Sequence, residues 1–329
     1  MSAETATLSQ AALRCYISPM IETYLTRRAV LAGALPAATT LGIGLPLPAD
    51  ASTPMLTRKI PSTGEALPVV GLGTWQTFDI GPDRAEMDQR KEVLQVLFEA
   101  GGSVIDSSPM YGRAEAVTGT LLAEMKARDK AFLATKVWTS GERAGIQQME
   151  QSAARFQSKT IDLMQIHNLV DWKTHLKTLR AWKDMGTFRT IGITHYTVPA
   201  LDELARIIRA EKLDFVQLGY SIGVRAPERS LLPLCQEKGV AVIANQPFDS
   251  GQHFRQAKGK PLPDWAADID AQSWGQVFLK YLLGHPAVTC VIPGTAKPQH
   301  MRDNVAAGLG RLPGEALRRR MAADWDRLG

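Results

Sequence analysis

Short apolar runs alternate with amphipathic stretches along most of the chain. The runs at 69–74, 103–106, 131–136, 161–166, 190–194, 215–218, 240–245 and 288–292 are mostly apolar or small, with single polar residues such as Asp162, Gln165 and Gln217 among them. That is the pattern of strands buried on both faces. Each is followed by a stretch with helical spacing: 84–100, 114–125, 146–156, 174–183, 199–210, 227–238, 271–283 and 298–308. In the first of these, Val93, Leu94, Val96, Leu97 and Ala100 make one face, and Gly101 with Gly102 ends it. A hairpin is predicted before the first strand, where 56–60 and 67–70 flank Ser62-Thr63-Gly64-Glu65. A last helix is predicted at 314–327. The stretch 246–269, with its Gly, Pro and His, breaks the alternation and reads as a long surface loop.

Eight strand–helix units in about 270 residues match a closed α/β (β/α)8 TIM barrel with an N-terminal β-hairpin and an extra C-terminal helix. A doubly wound open sheet is the alternative. It requires a glycine-rich phosphate turn running from a strand into a helix. Gly71-Leu72-Gly73 lacks the third glycine and no helix follows it directly, so the barrel is the better reading. An isomerase-type barrel enzyme that binds phosphate through such a motif is disfavoured on the same ground.

In a parallel barrel the carboxyl ends of the strands share one face, and that face holds the chemistry. Asp106 ends the second predicted strand, and Tyr111 follows in a loop bent by Ser107, Ser108 and Pro109. Lys136 ends the third strand and His167 the fourth. Each alone could be a capping, rim, surface or satisfied core residue. Together they form a coherent set for delivering a proton to a carbonyl oxygen. A tyrosine has an ordinary pKa of about 10, and an adjacent ammonium is expected to lower it. The aspartate keeps that ammonium charged and in place. The histidine donates a hydrogen bond that orients the carbonyl. No side chain supplies hydride, so a nicotinamide cofactor is required.

Composition adds boundaries. The 329 residues carry 22% charged and 45% hydrophobic residues, ordinary values for a globular protein. The net charge of +5 is spread without a long Lys/Arg run, which argues against a nucleic-acid surface. The three cysteines, Cys15, Cys235 and Cys290, have no zinc-type or CxxC spacing, and Cys290 reads as an inert core residue. No metal is expected.

The first fifty residues differ in kind. Arg27 and Arg28 precede a weakly hydrophobic run rich in Ala, Gly and Thr and interrupted by Pro36 and Pro46. This resembles a twin-arginine export signal. Ala49-Asp50-Ala51 has the small-x-small form of a signal-peptidase site, so residues 1–51 are read as a cleaved signal and 52–329 as the mature barrel. The prolines and glycines argue against a stable spanning helix. The expected location is periplasmic, with the twin-arginine machinery as a partner. Met20 is an alternative start.

With those residues in hand, the chain from Leu56 onward resembles an aldo-keto reductase. The motifs are Gly71-Leu-Gly-Thr-Trp75, Ile105-Asp-Ser-Ser-Pro-Met-Tyr-Gly112, Thr135-Lys-Val-Trp138, Gln165-Ile-His167 and Ile292-Pro-Gly-Thr295. The resemblance implies a catalytic tetrad of Asp106, Tyr111, Lys136 and His167, and NADPH bound across the barrel mouth, with NADH possible. It implies cofactor contacts from Thr74, Thr194, His195, Gln217, Asn245, Thr295, Lys297, Arg302 and Asn304. Gln217 matches a residue that holds the carboxamide. Five positions depart from the family pattern. Thr194-His195 stands where Ser-Asn is usual, Asn245 where a tyrosine often stacks, and Gly294 and His300 where basic residues are usual. Trp75 and Trp138, with Trp172, are expected to wall an apolar substrate pocket, and core packing is the alternative for each. The implied reaction is reversible reduction of an aldehyde or ketone to an alcohol. The alternative is a nucleotide-binding redox sensor on the same fold with little turnover.

Overall fold

The computed structural model describes residues 54–328. Arg27, Arg28, the candidate cleavage site and Cys15 lie outside them. In chain order the elements are β1 Thr57–Lys59, β2 Ala66–Pro68, β3 Leu72–Gly73, α1 Arg84–Glu99, β4 Val104–Asp106, α2 Ala114–Glu124, β5 Phe132–Val137 and α3 Glu142–Arg155. They continue with β6 Ile161–His167, α4 Trp172–Asp184, β7 Phe188–His195, α5 Leu201–Ala210, β8 Phe215–Gly219 and α6 Leu231–Lys238. The last are β9 Ala241–Asn245, α7 Gln252–Ala257, α8 Trp274–Leu283, β10 Val288–Val291, α9 Pro298–Ala306 and α10 Glu315–Leu328.

Strands β3 to β10 form one parallel sheet in sequential order. Its edges meet: Gly71 N–H donates to Val291 O at 2.9 Å, and Val291 N–H donates to Val69 O at 2.9 Å. The expected (β/α)8 barrel is therefore present. Glycines make the seam possible. A Cβ at Gly73 would stand 2.9 Å from Ile292 O, and one at Gly71 would stand 2.7 Å from Val104 Cβ. Gly73 thus lets the seam close against the β10 side, and Gly71 lets the chain approach Val104 of β4.

Two apolar layers result. Val104, Phe132, Ala134, Leu163, Phe215, Ile243 and Cys290 fill the barrel interior. They are joined by Ile60 and Leu67 from the antiparallel hairpin β1–β2, which plugs the amino-terminal end. A larger layer between strands and helices includes Leu94, Leu97, Ile166, Ile193, Leu218 and Leu279. Alternate residues of each strand enter alternate layers. Arg58 ties the plug down by donating to His285 O at 2.8 Å, and also to the carbonyls of Val288 and Leu283.

The first strand is shorter than its apolar run predicts, because Val69–Val70 contributes a bridge rather than a ladder. The stretch 246–269 is not a plain surface loop. It holds α7 and a 3₁₀ turn at Asp264–Ile269, and buries His253, Trp265 and Ile269. Its rings pack on α8 and α10: His253 lies 5.0 Å from Trp325 and 5.3 Å from Phe278, centroid to centroid. Periodicity misses this because the burial comes from aromatic contacts rather than a continuous helical face. Among the described residues no helix is long and apolar enough to cross a membrane.

Candidate active site

The strand register builds the site. Asp106 pairs with Ala134, Lys136 with Gln165, and His167 with Thr194. Lys136 lies two residues beyond Ala134, and His167 two beyond Gln165. Inward-facing positions therefore climb the barrel wall as the sheet turns, as strand stagger requires. Above the apolar interior the same inward face becomes polar, with Asp106, Lys136, Gln165, His167, Gln217 and Asn245.

Lys136 is fully buried. Its ammonium donates to Asp106 Oδ2 at 2.7 Å and to Ser107 O at 2.6 Å. Its third hydrogen is left for Tyr111, whose ring centroid lies 5.0 Å from Nζ. Burial alone would pull the lysine pKa down. Asp106 and Tyr111 reverse that, so the ammonium is held above its ordinary value and stays charged. Asp106 Oδ1 accepts from Gln217 Nε2 at 2.7 Å and from Gln165 Nε2 at 3.3 Å. Asn245 Nδ2 in turn donates to Gln217 Oε1 at 3.1 Å. The carboxylate is thus gripped from three other strands.

Tyr111 departs from the sequence expectation. Burial raises its pKa, and this outweighs the lowering by Lys136, whose charge Asp106 partly cancels. The phenol therefore remains protonated at neutral pH. His167 is nearly buried, edge-on to Tyr111 at 6.0 Å and 6.2 Å from the Trp138 ring. Burial, then the positive charge of Lys136 and His195, push its pKa down to about 3, so the imidazole is neutral. Ser108 Oγ lies 3.1 Å from His167 Nδ1.

The four tetrad candidates thus meet at one end of the barrel. Gln165 and Ser108 join them through their side chains; the sequence assigns Gln165 no role and Ser108 only a place in the loop bend. For Gln165 a signal existed, since it stands two residues before His167 on the same strand face. For Ser108 only its place two residues after Asp106 hinted at it.

The cofactor candidates fall in two places. Thr74, Thr194, His195 and Asn245 lie at or just beyond strand ends around the tetrad, and Gln217 lies two residues inside the end of β8. Thr74 spends its hydroxyl on Asp106 O at 3.0 Å. His195 stacks on Tyr196 at 5.8 Å, and partial burial pulls its pKa down. Thr295, Lys297, Arg302 and Asn304 lie at the start of α9 and along it. Thr295 Oγ1 accepts from the Lys297 backbone N–H at 3.1 Å, a turn that opens the helix. Lys297 is exposed, Asn304 is buried, and Arg302 pairs with Glu92 of α1 at 2.7 Å. Trp75 and Trp138 stand 46% and 42% exposed, with Met110 and Tyr196 also exposed nearby in the strand-end loops. Trp172 instead packs on the outer layer, with Arg206 of α5 5.7 Å over its ring.

The residues fit a nicotinamide nucleotide on one direct observation. Asn245 Oδ1 is buried without a partner beside Gln217, and a carboxamide N–H would satisfy it.

The model of the aldo/keto reductase family matches residues 69–322, and the chain belongs to that family. It is a family of NAD(P)H-dependent oxidoreductases, so the protein is an enzyme of that type. The chain is 29% identical over 252 residues to the methylglyoxal reductase YeaE of Escherichia coli K12, covering 73% of this chain and 85% of that protein. It is 28% identical over 309 residues to the NADH-specific methylglyoxal reductase of the same organism, covering 76% and 93%. An aldo-keto reductase from Klebsiella pneumoniae, solved in complex with NADPH, superposes with a TM-score of 0.68 at 26% identity, covering 83% of this chain and 95% of that one.

Proposed function

We propose that the protein reduces an aldehyde or ketone to an alcohol with NADPH, reversibly, using Tyr111 as proton donor. The observation that carries this reading is the buried Asp106–Lys136 pair, 2.7 Å apart, with the Tyr111 ring centroid 5.0 Å from the ammonium. The nicotinamide, when bound, supplies hydride to the carbonyl carbon. Tyr111 gives its phenolic proton to the carbonyl oxygen, and the ammonium of Lys136 stabilises the phenolate that remains. Asp106 holds the ammonium in place. Neutral His167 offers a ring N–H to the same oxygen and aligns it.

Gln217 and Asn245 would hold the carboxamide end, with Thr74, Thr194 and His195 beside it. Thr295, Lys297, Arg302 and Asn304 would take the adenosine phosphate, where the start of α9 favours an anion. Arg302 would have to leave Glu92 to do so, an exposed pair that costs little to break. Trp75 and Trp138 wall the substrate, so an apolar carbonyl compound is the class favoured. Methylglyoxal, named in two of the relatives, and an aromatic aldehyde are the first probes. We further propose that residues 1–51 direct twin-arginine export to the periplasm and are removed there. The test of the activity is oxidation of bound NADPH by these carbonyls. No oxidation by any of them would sink the reading.

A further inference from the structure

We propose that Ser108 is a positioning residue that fixes the His167 imidazole as the tautomer carrying its hydrogen on Nε2. The proposal deepens the reading above, in which His167 donates to the substrate carbonyl.

The hydrogen bonds around Ser108 select one direction. The residue is fully buried. Its backbone is fixed on both sides, with Ser107 N–H donating to Ala134 O at 2.9 Å and Tyr111 N–H donating to Ser108 O at 3.0 Å. Its Oγ accepts from the Met110 backbone N–H at 3.4 Å. The hydroxyl hydrogen is therefore left over, and the acceptor in reach among the described residues is His167 Nδ1 at 3.1 Å. The opposite arrangement, Nδ1–H donating to Oγ, would give that oxygen two donors and strand its own hydrogen in a buried site. Leaving a buried donor unmade is costly. A neutral imidazole carries one ring hydrogen, so an accepting Nδ1 places it on Nε2.

The surroundings supply the other conditions. The ring must be neutral for the argument to hold, and the burial of His167 beside the Lys136 ammonium keeps it so. Among the described residues Nε2 has no hydrogen-bond partner, and the ring stands edge-on to Tyr111 and near the exposed Trp138. Nε2–H is therefore free for a carbonyl oxygen that also accepts from Tyr111. In the other tautomer Nε2 is an acceptor and repels that oxygen. Ser108 thus acts through His167 and touches no reacting atom. Its place in the chain explains the economy: the loop that carries Tyr111 also carries the group that sets the histidine.

The experiment uses full-length protein with 15N-labelled histidine, without nucleotide, at neutral pH. The His167 signals are assigned by their loss in H167Q. Long-range 1H–15N spectra are expected to show Nδ1 as the unprotonated nitrogen and Nε2 as the protonated one. In S108A the two nitrogens should move toward a mixture of tautomers. The turnover number with saturating NADPH and aldehyde should fall about tenfold, the scale of one hydrogen bond, with NADPH affinity unchanged. S108T, which keeps the hydroxyl, should restore both. A protonated Nδ1 in the wild-type protein would overturn the proposal. So would an S108A variant whose His167 signals and turnover match wild type. If the protein reduces no carbonyl, the functional reading falls while the wild-type spectrum still decides the role of Ser108.

Discussion

Asp106 accepts from Lys136, Gln217 and Gln165, which leaves its carboxylate shielded and its geometry fixed before any ligand arrives. Such a buried pair is costly to break, because removing one partner strands the other. Histidine ionisation gives this scale its prediction. The His167 pKa lies near 3 in the folded protein and near 6.5 when unfolded. The unfolded chain therefore binds the extra proton first, and stability is lost as pH falls from about 6.5 toward 3. The slope from this residue is about 1.4 kcal/mol per pH unit in that window. His285, pushed down to about 4 by burial, acts in the same direction. Urea midpoints at pH 7 and pH 5 check this, with the lower midpoint expected at pH 5. Asp106, Lys136 and His167 were legible from sequence because each closes an apolar run. Ser108 and Gln165 were not, because their roles depend on partners about sixty residues away. The sequence predicts a lowered Tyr111 pKa where burial raises it, since the lysine is visible in the sequence and the burial is not.

At the scale of elements, eight strands and their helices were legible because the buried parallel strands are short and mostly apolar, each followed by a stretch with helical spacing. Their ends moved where neighbours intervened. The helix predicted from Ile146 begins at Glu142, and the one predicted from Pro199 opens as a 3₁₀ turn at Val198–Ala200. The stretch 246–269 was illegible because its folding depends on rings contributed by α8 and α10. The β1–β2 hairpin carries the element-scale prediction. Leu67 is 1% exposed inside the barrel floor, far from the carboxyl-end site. Truncating it to alanine should cost about 2–5 kcal/mol of unfolding free energy. The turnover number should stay within twofold. Urea unfolding and steady-state kinetics on the same sample measure both. A large loss of turnover with unchanged stability would show that the plug communicates with the mouth.

For the whole molecule, the barrel brings together groups from five strands and a loop that are scattered through the sequence, and among the described residues it does so without a separate nucleotide-binding domain. The seam at Gly71 and Gly73 closes the barrel that does this. The departures from the pattern that the resemblance implies, at Thr194, His195, Asn245, Gly294 and His300, lie on the proposed nucleotide side, while Asp106, Tyr111, Lys136 and His167 of the proposed proton side follow it. The export proposal belongs to this scale too. Amino-terminal sequencing of protein from the cell envelope should begin near Ser52. A terminus at Met1 or Met20 on protein found in the cytoplasm would contradict it.

The central claim is that Tyr111, set against the buried Lys136–Asp106 pair, protonates a carbonyl. Stopped-flow oxidation of bound NADPH by methylglyoxal and an aromatic aldehyde, in wild type and Tyr111→Phe, tests it most directly. The wild-type protein should oxidise its nucleotide in a single-turnover transient. The variant should bind NADPH as well but react on the order of 10²–10⁴-fold more slowly. A Tyr111→Phe variant that turns over like wild type would contradict the account.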